Sequence, residues 1–229
     1  EQTLKEQKKD EFISIASHEM KTPLTMAQAY MQLLEESLDS ANKEAILYAQ
    51  KSNLSVERLQ NLVSELLDAS KINHGKLDYS FNLFDFNEML DSVVEGMQNT
   101  SKKKILKTGM ITKEVEGDKD RLQQVVVNLL SNAVKYSPTD EDILIHAEQG
   151  DAEIKVSVTD KGIGLSKHNL EKIFEKYYRV ADKELAYSKG LGIGLYISYE
   201  IVQRHNGKIW AESEIGKGST FYFTLPLKG

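Results

Sequence analysis

Apolar residues recur at three- and four-residue steps through the first third of the chain. They are Leu4, Phe12, Ile15, Leu24, Ala27, Leu33 and Leu34, then Ala45, Tyr48, Val56, Leu59, Val63, Leu66 and Leu67. That period is the mark of an amphipathic helix. The polar stretch SLDSANK at 37–43 interrupts it with loop chemistry. The pattern predicts a hairpin of two long antiparallel helices, the first the longer. Stripes this wide cannot be buried by two helices against each other. A second copy of the chain, completing a four-helix bundle as a homodimer, would bury them.

From Tyr79 the period changes. LDYSFNLFDF alternates as a strand does, and Asp85-Phe-Asn-Glu88 has the character of a capping box opening a helix that runs to the lysines at 102–104. Residues 118–138 predict a strong helix, capped by Asp118 or Asp120 and ended by Pro138. Two alternating strands follow, Ile143/Ile145/Ala147 and Ile154/Val156/Val158, joined at Gln149-Gly150-Asp151. SKHNLEKIFEKYYR predicts a short amphipathic helix, and LYISYEIVQRH another that stops at Asn206-Gly207. A closing hairpin turns at Gly216–Gly218, with Phe221, Phe223 and Leu225 inward. The expected fold is therefore α + α/β: a dimerising helical hairpin over residues 1–76, then a two-layer α/β sandwich over 77–229.

Composition narrows the function. A net charge of -6 argues against nucleic acid as the main partner. The absence of cysteine excludes disulfides and thiolate metal sites and fits a reducing compartment. Apolar runs such as VVVNLL are too short to span a bilayer, and neither a signal peptide nor direct membrane contact is expected of this stretch. The chain opens EQTLKEQKKD, in what reads as mid-helix, so it is expected to be part of a longer protein whose upstream segment feeds this helix.

Two constellations carry chemistry. In FISIASHEMKTPLT, His18 and Glu19 are adjacent and Pro23 follows five residues after the histidine. Helical spacing puts Ser14, Ile15, Lys21 and Thr22 on the side of His18. Pro23 has no N–H for the carbonyl of Glu19, so a kink or bulged turn is expected there. Alone, this pair is also what a solvated histidine on a surface helix looks like.

The second constellation has three parts. Asn128, Asn132 and Lys135 share a helical face, setting two carboxamides and an ammonium side by side, with Tyr136 next in line. Carboxamide oxygens are hard ligands suited to Mg²⁺, and the ammonium can neutralise phosphate. Asparagine is a poor helix former, so two of them opposite Val125, Val126, Leu129 and Leu130 are not explained by a solvated face. Next, Asp160-Lys-Gly162-Ile-Gly164 follows the strand IKVSVT; a carboxylate there can accept from an exocyclic amine of adenine, and glycines let backbone approach a ring. Last, Gly190-Leu191-Gly192-Ile-Gly194 opens a helix whose free N–H groups attract phosphate. No βαβ unit precedes it and no Gly-Lys-Ser/Thr follows, so it is neither a dinucleotide fingerprint nor a P-loop. Each part alone is a weak signal. Together, in order, they point to an adenine-nucleotide site with residues 180–190 as its lid.

With both constellations in view, the chain resembles the transmitter core of a bacterial two-component sensor histidine kinase along nearly its whole length. HEMKTPLT resembles the H box of that family, NLLSNAVKYSP the N box, DKGIGLS the G1 box, IFEKYYR the F box and GLGIGL the G2 box. The resemblance implies a nucleotide domain of the histidine kinase/Hsp90-like type, with ATP and Mg²⁺ as cofactors. It implies that His18 accepts phosphate, that Glu19 orients and deprotonates it, and that Thr22 serves when phosphate is removed from the partner. It implies Asn132 as the Mg²⁺ ligand with Asn128 beside it. Lys135, Tyr136, Tyr178 and Arg179 would surround the phosphates and the nucleotide edge, and Asp160 would bind adenine, with Gly162 and Gly164 in its turn. Gly190, Leu191, Gly192 and Gly194 would form the lid hinge and phosphate loop, and Thr220 the pocket floor. The implied partners are a response-regulator receiver domain and an upstream sensor domain in the parent chain. The implied location is cytoplasmic, in a parent that is soluble or anchored in the inner membrane. Two other readings stay open on the residues: an ATPase of the same fold, against which Asn128 stands where a catalytic glutamate would be, and a nucleotide-responsive dimerisation scaffold.

Overall fold

The computed structural model describes residues 20–34, 36, 43–73, 77–138, 141–180 and 191–227. These belong to two compact units, one helical and one α/β.

The helical unit contains α1 (residues 20–34) and α2 (Lys43–Asn73). They run antiparallel. Ser52 Oγ donates to the Ala27 carbonyl at 3.4 Å, and three residues further along α1 the Tyr30 ring stacks on Tyr48, with centroids 6.3 Å apart. Lys51 Nζ lies 5.3 Å from the Tyr30 centroid. Ala27, Leu62 and Ala69 are buried. Ala27, with its small side chain, lets the helices approach closely here, and Ser52 finds its partner across the seam. Much of the expected apolar stripe is nonetheless exposed, including Leu24, Leu33, Val56, Val63 and Leu67. The helix is continuous through Pro23. The Glu19 carbonyl, on which the expected kink depends, lies outside the described residues, as do the turn at 37–42 and the relative length of the first helix.

The α/β unit takes in Lys76–Val180 and Gly194–Gly229. Its elements are β1 (Asn82–Phe84), α3 (Phe86–Thr100), β2 (Ile105–Gly109), β3 (Val115–Gly117), α4 (Lys119–Tyr136), β4 (Ile143–Gln149), β5 (Glu153–Asp160), α5 (Lys167–Leu170), α6 (Gly194–Arg204), β6 (Lys208–Glu214) and β7 (Gly218–Pro226). Five strands form one sheet in the order β2-β4-β5-β7-β6, and β1 pairs with β3 apart from it. All pairs are antiparallel except β2 with β4, whose connection carries α4 as crossover helix.

The period-2 alternation of the strands puts one face of the sheet inward. Ile145, Val158 and Phe221 lie in one cross-strand row, and Ala147, Val156, Phe223 and Ile209 in the next. Onto this face pack Phe86, Met89, Leu90 and Val93 of α3, Val125, Val126, Leu129 and Leu130 of α4, and Ile197, Ile201 and Val202 of α6. Phe223 is wholly buried, and burying such a side chain contributes about 1.5–3 kcal/mol. The expected two-layer sandwich is what forms. Asp85 caps α3, accepting from the Asn87 and Glu88 N–H groups, and Asp118 caps α4.

The structure corrects three local expectations. Residues 105–117, given no strand by periodicity, hold β2 and β3. The helix after Asp85 stops at Thr100, short of the lysines, where the Ser101 N–H closes on the Met97 carbonyl. SKHNLEKIFEKYYR forms only the single turn α5. Beyond it hydrogen bonds shorten to three-residue steps, with Lys172 N to Asn169 O and Glu175 N to Lys172 O, and Tyr177 takes φ 65°. A left-handed residue cannot continue a helix.

Candidate functional site

The site grows from the exposed edge of α4. That helix buries Val125, Val126, Leu129, Leu130 and Ala133, which leaves Asn128, Asn132 and Lys135 along its other side. Asn128 Nδ2 donates to Ser198 Oγ on α6 at 2.8 Å. Its Oδ1 lies 2.5 Å from where a Cβ on Gly194 would stand. Gly194, read as part of the phosphate loop, is here the first residue of α6 and a point of close helix approach. Asn132, one turn further, is half-buried, and no protein partner is found for its carboxamide among the described residues. Its oxygen is therefore available to a hard cation. Lys135 Nζ sits 4.8 Å from the Tyr136 ring centroid.

The end of β5 faces the end of α4. Asp160 is only 5% exposed, and its Oδ1 accepts the Gly162 N–H at 2.7 Å. Burial pushes its carboxyl above its ordinary value, and the Gly162 and Ser219 backbone N–H bonds and the Lys103 charge oppose that rise. Gly162 packs against the Tyr136 carbonyl, leaving no room for a Cβ, so the turn after Asp160 and the last turn of α4 meet backbone to backbone. Gly164 takes φ +70° against the Glu214 carbonyl, a second contact that only glycine permits. Thr220 lies beside Ser219 on β7 and shares a 3.0 Å hydrogen bond with Thr159 Oγ1 on β5.

Asn128, Asn132, Asp160, Gly162, Gly164, Gly194 and Thr220 thus sit on adjoining elements of one unit: α4, the β5 turn, α6 and β7. Tyr178 and Arg179 follow α5, where the Tyr178 hydroxyl donates to Asn169 Oδ1 at 2.9 Å. Leu191 is buried and Gly192 takes φ +68°. Thr22 lies half-buried on α1 in the helical unit. His18, Glu19, Gly190 and the lid residues 181–190 lie outside the described residues.

Sequence reasoning overlooked Ser198 and Ser219. Ser198 sits four residues after Gly194, hence on the same helical face, and a buried serine there needs an outside partner. That was a usable signal. Ser219 had none, because its link to Asp160 depends on strand register.

This geometry has counterparts. Residues 8–75 match the family model of the His Kinase A (phospho-acceptor) domain, and residues 117–229 that of the histidine kinase-, DNA gyrase B- and HSP90-like ATPase. The chain is 33% identical over 232 residues to the sensor protein kinase WalK of Staphylococcus aureus, covering 100% of this chain and 56% of that protein. It covers 38% of a longer WalK from another strain. The chain therefore spans about half the length, or less, of the curated relatives it matches. Among solved structures, the histidine kinase AdeS of Acinetobacter baumannii superposes with TM-score 0.67 at 21% identity, over 93% of this chain and 98% of that one. The histidine kinase ThkA, solved in complex with the response regulator protein TrrA, gives TM-score 0.63 at 22% identity, over 95% of this chain and 61% of that one. At such identities the likeness speaks for the fold. No described helix is long and apolar enough to cross a membrane. With a phospho-acceptor domain and then an ATPase-type domain on the residues that hold the motifs, this chain belongs to the sensor histidine kinases and spans their transmitter core.

Proposed function

We propose that this chain transfers the γ-phosphoryl group of ATP to His18 and passes it to an aspartate on a response-regulator receiver domain, with removal of that phosphate as a second role centred on Thr22. The observation that carries this reading is the order of the two family matches: His18 falls inside the phospho-acceptor match, and Asn132 and Asp160 inside the ATPase match. Residues 1–76 are taken as the dimerising phosphotransfer domain and 77–229 as the nucleotide domain. The receiver-domain partner is supported by the likeness to ThkA, which was solved with a response regulator. A cytoplasmic setting fits a cysteine-free core that uses ATP.

Neutral His18 attacks the γ-phosphorus through one ring nitrogen. The bond from that phosphorus to the bridging oxygen breaks, and ADP leaves with the electron pair. Glu19 accepts a hydrogen bond from the other nitrogen, which fixes the tautomer and offsets the positive charge that develops. Asp160 accepts from the adenine amine. Lys135 and Arg179 offset phosphate charge, so the nucleotide unit contributes mainly positioning and electrostatics. Mg²⁺, when bound, would neutralise phosphate oxygens, and the Asn132 carboxamide is the group suited to hold it.

Incubation with γ-labelled ATP and Mg²⁺ tests this reading. Acid-labile, base-stable label on this chain and none on His18→Gln is the expected result. Phosphate released to solution equally by both would move the assignment to an ATPase. Nucleotide binding without turnover in either would leave a scaffold.

A further inference from the structure

Just ahead of β2, a lysine that none of the motifs includes reaches the end of α4. Lys103 Nζ donates to the Val134 carbonyl at 2.5 Å and to the Ser137 carbonyl at 2.7 Å. These are among the last carbonyls of α4, which have no partner inside the helix. A cation there also meets the negative end of the helix dipole. The loop that delivers Lys103 is itself fixed. Gln98 Nε2 donates to the Lys103 carbonyl at 3.0 Å, Gln98 Oε1 accepts from the Ile105 N–H at 2.9 Å, and the Lys103 N–H donates to Ser101 Oγ at 3.1 Å. The lysine is thus held at both its backbone and its ammonium, and it is partly removed from solvent.

We propose that Lys103 is a positioning residue of the nucleotide site: it holds the last turn of α4, on which the Asp160 turn closes, and brings its charge to that end of the site. This rests on the adenine-nucleotide reading above. Two connections carry it. The clamped turn includes Lys135 and Tyr136, and the Tyr136 carbonyl is the surface on which Gly162 closes. The ammonium also couples to the Asp160 carboxylate, and each stabilises the charge of the other. Among the described residues, other charged groups about the Asp160 turn are Lys161, which is exposed and paired with Glu141 at 2.8 Å, Asp142, Lys135 on α4 and Glu214 at the end of β6. Strand β7 contributes only the neutral Ser219 and Thr220.

A carboxylate is a stronger acceptor for an adenine amine than a protonated carboxyl, so ATP binding weakens as Asp160 takes up a proton. Burial already raises the pH at which that happens, and the Lys103 charge holds it down. Removing the charge must therefore move the acid loss of binding to higher pH. A lysine with a purely structural role would lower affinity or stability without moving that midpoint.

The test is ATP titration by calorimetry from pH 5 to 8 on the full chain, for the wild type, Lys103→Met, Lys103→Gln and Lys103→Arg. Lys103→Met should weaken ATP binding about tenfold or more at pH 7.5 and raise the acid midpoint. Lys103→Gln keeps an amide donor for the α4 carbonyls but no charge, so it should also raise the midpoint even if Lys103→Met does not fold. Lys103→Arg should return the midpoint to that of the wild type. An unmoved midpoint in the folded neutral variants overturns the proposal. A wild type that binds no ATP overturns the nucleotide reading instead.

Discussion

A glycine in this fold is read by what its missing Cβ would strike. At Gly194 that is Asn128 Oδ1, 2.5 Å away, on a side chain already held by Ser198. Gly194→Ala improves helix propensity, yet it must push α6 from α4 or turn Asn128 out of place. Overpacking of this kind costs about 1–3 kcal/mol, and here it falls on the edge proposed to meet nucleotide. Gly96, in the exposed part of α3, has nothing within 4 Å of its would-be Cβ. Gly96→Ala should stabilise by up to about 1 kcal/mol, since alanine is the better helix former. Urea denaturation followed by Trp210 fluorescence should thus give opposite signs, with ATP affinity lost only in Gly194→Ala. Equal signs would mean that Asn128 gives way freely. The residue types at Asn128, Asn132 and Asp160 stood out in sequence because polar groups on a helix flank and at a buried strand end need partners there. Ser198 could have been read from its helical spacing to Gly194, but Lys103 could not, because the α4 carbonyl it reaches stands 31 positions away and no local pattern reports that.

Between elements, one histidine joins three of them. His205, at the foot of α6, donates from Nδ1 to the Ile201 carbonyl at 2.7 Å, and its Nε2 accepts the Asp118 N–H at 2.9 Å. Asp118 in turn caps α4 and accepts from the Ser80 N–H at 2.8 Å, tying in the segment before β1. Phe81 and Tyr79 pack on the ring. Both nitrogens are committed only when the ring is neutral, and burial lowers its pKa, against the opposing effects of the Ile201 bond and the Asp118 charge. The unfolded chain then takes up the proton first as pH falls. The stability due to neutral His205 is complete above the ordinary histidine pKa of about 6.5 and is lost as pH drops below it. His205→Phe should flatten that decline between pH 7.5 and 5.5 while lowering stability at pH 7.5, where the Asp118 N–H loses its acceptor. A variant that declines as steeply as the wild type would place the acid sensitivity elsewhere. The α6 stop beside this histidine was plain in sequence, since Asn206 takes φ 57° as such a stop requires. Strand β2 was not, because its main support is parallel pairing with β4 across 38 positions, and no local period reports that.

At the scale of the molecule, the helical unit leaves a problem that the α/β unit does not have. Val56, Val63 and Leu67, spaced by seven and four residues, form one stripe on α2 and are 42%, 41% and 57% exposed. Leu24 and Met31, seven apart on α1, are exposed as well. Contiguous apolar surface of this kind marks an interaction face, and the homodimeric four-helix bundle expected from the sequence would cover it. Each side chain is already about half covered, so completing its burial contributes roughly half of the 1.5–3 kcal/mol of a fully buried side chain, and the stripes of both chains must act together to outweigh the cost of association. Glutamate at two of these positions keeps helix propensity and places charge in the seam. The wild-type chain should sediment as a dimer at about ten micromolar, and Val63→Glu with Leu67→Glu as a monomer that still binds ATP, because the residues proposed to hold nucleotide lie in the α/β unit. A wild-type monomer, or a double variant that remains dimeric, would remove the four-helix bundle from this account. Loss of ATP binding along with the dimer would show that the nucleotide unit depends on the assembly.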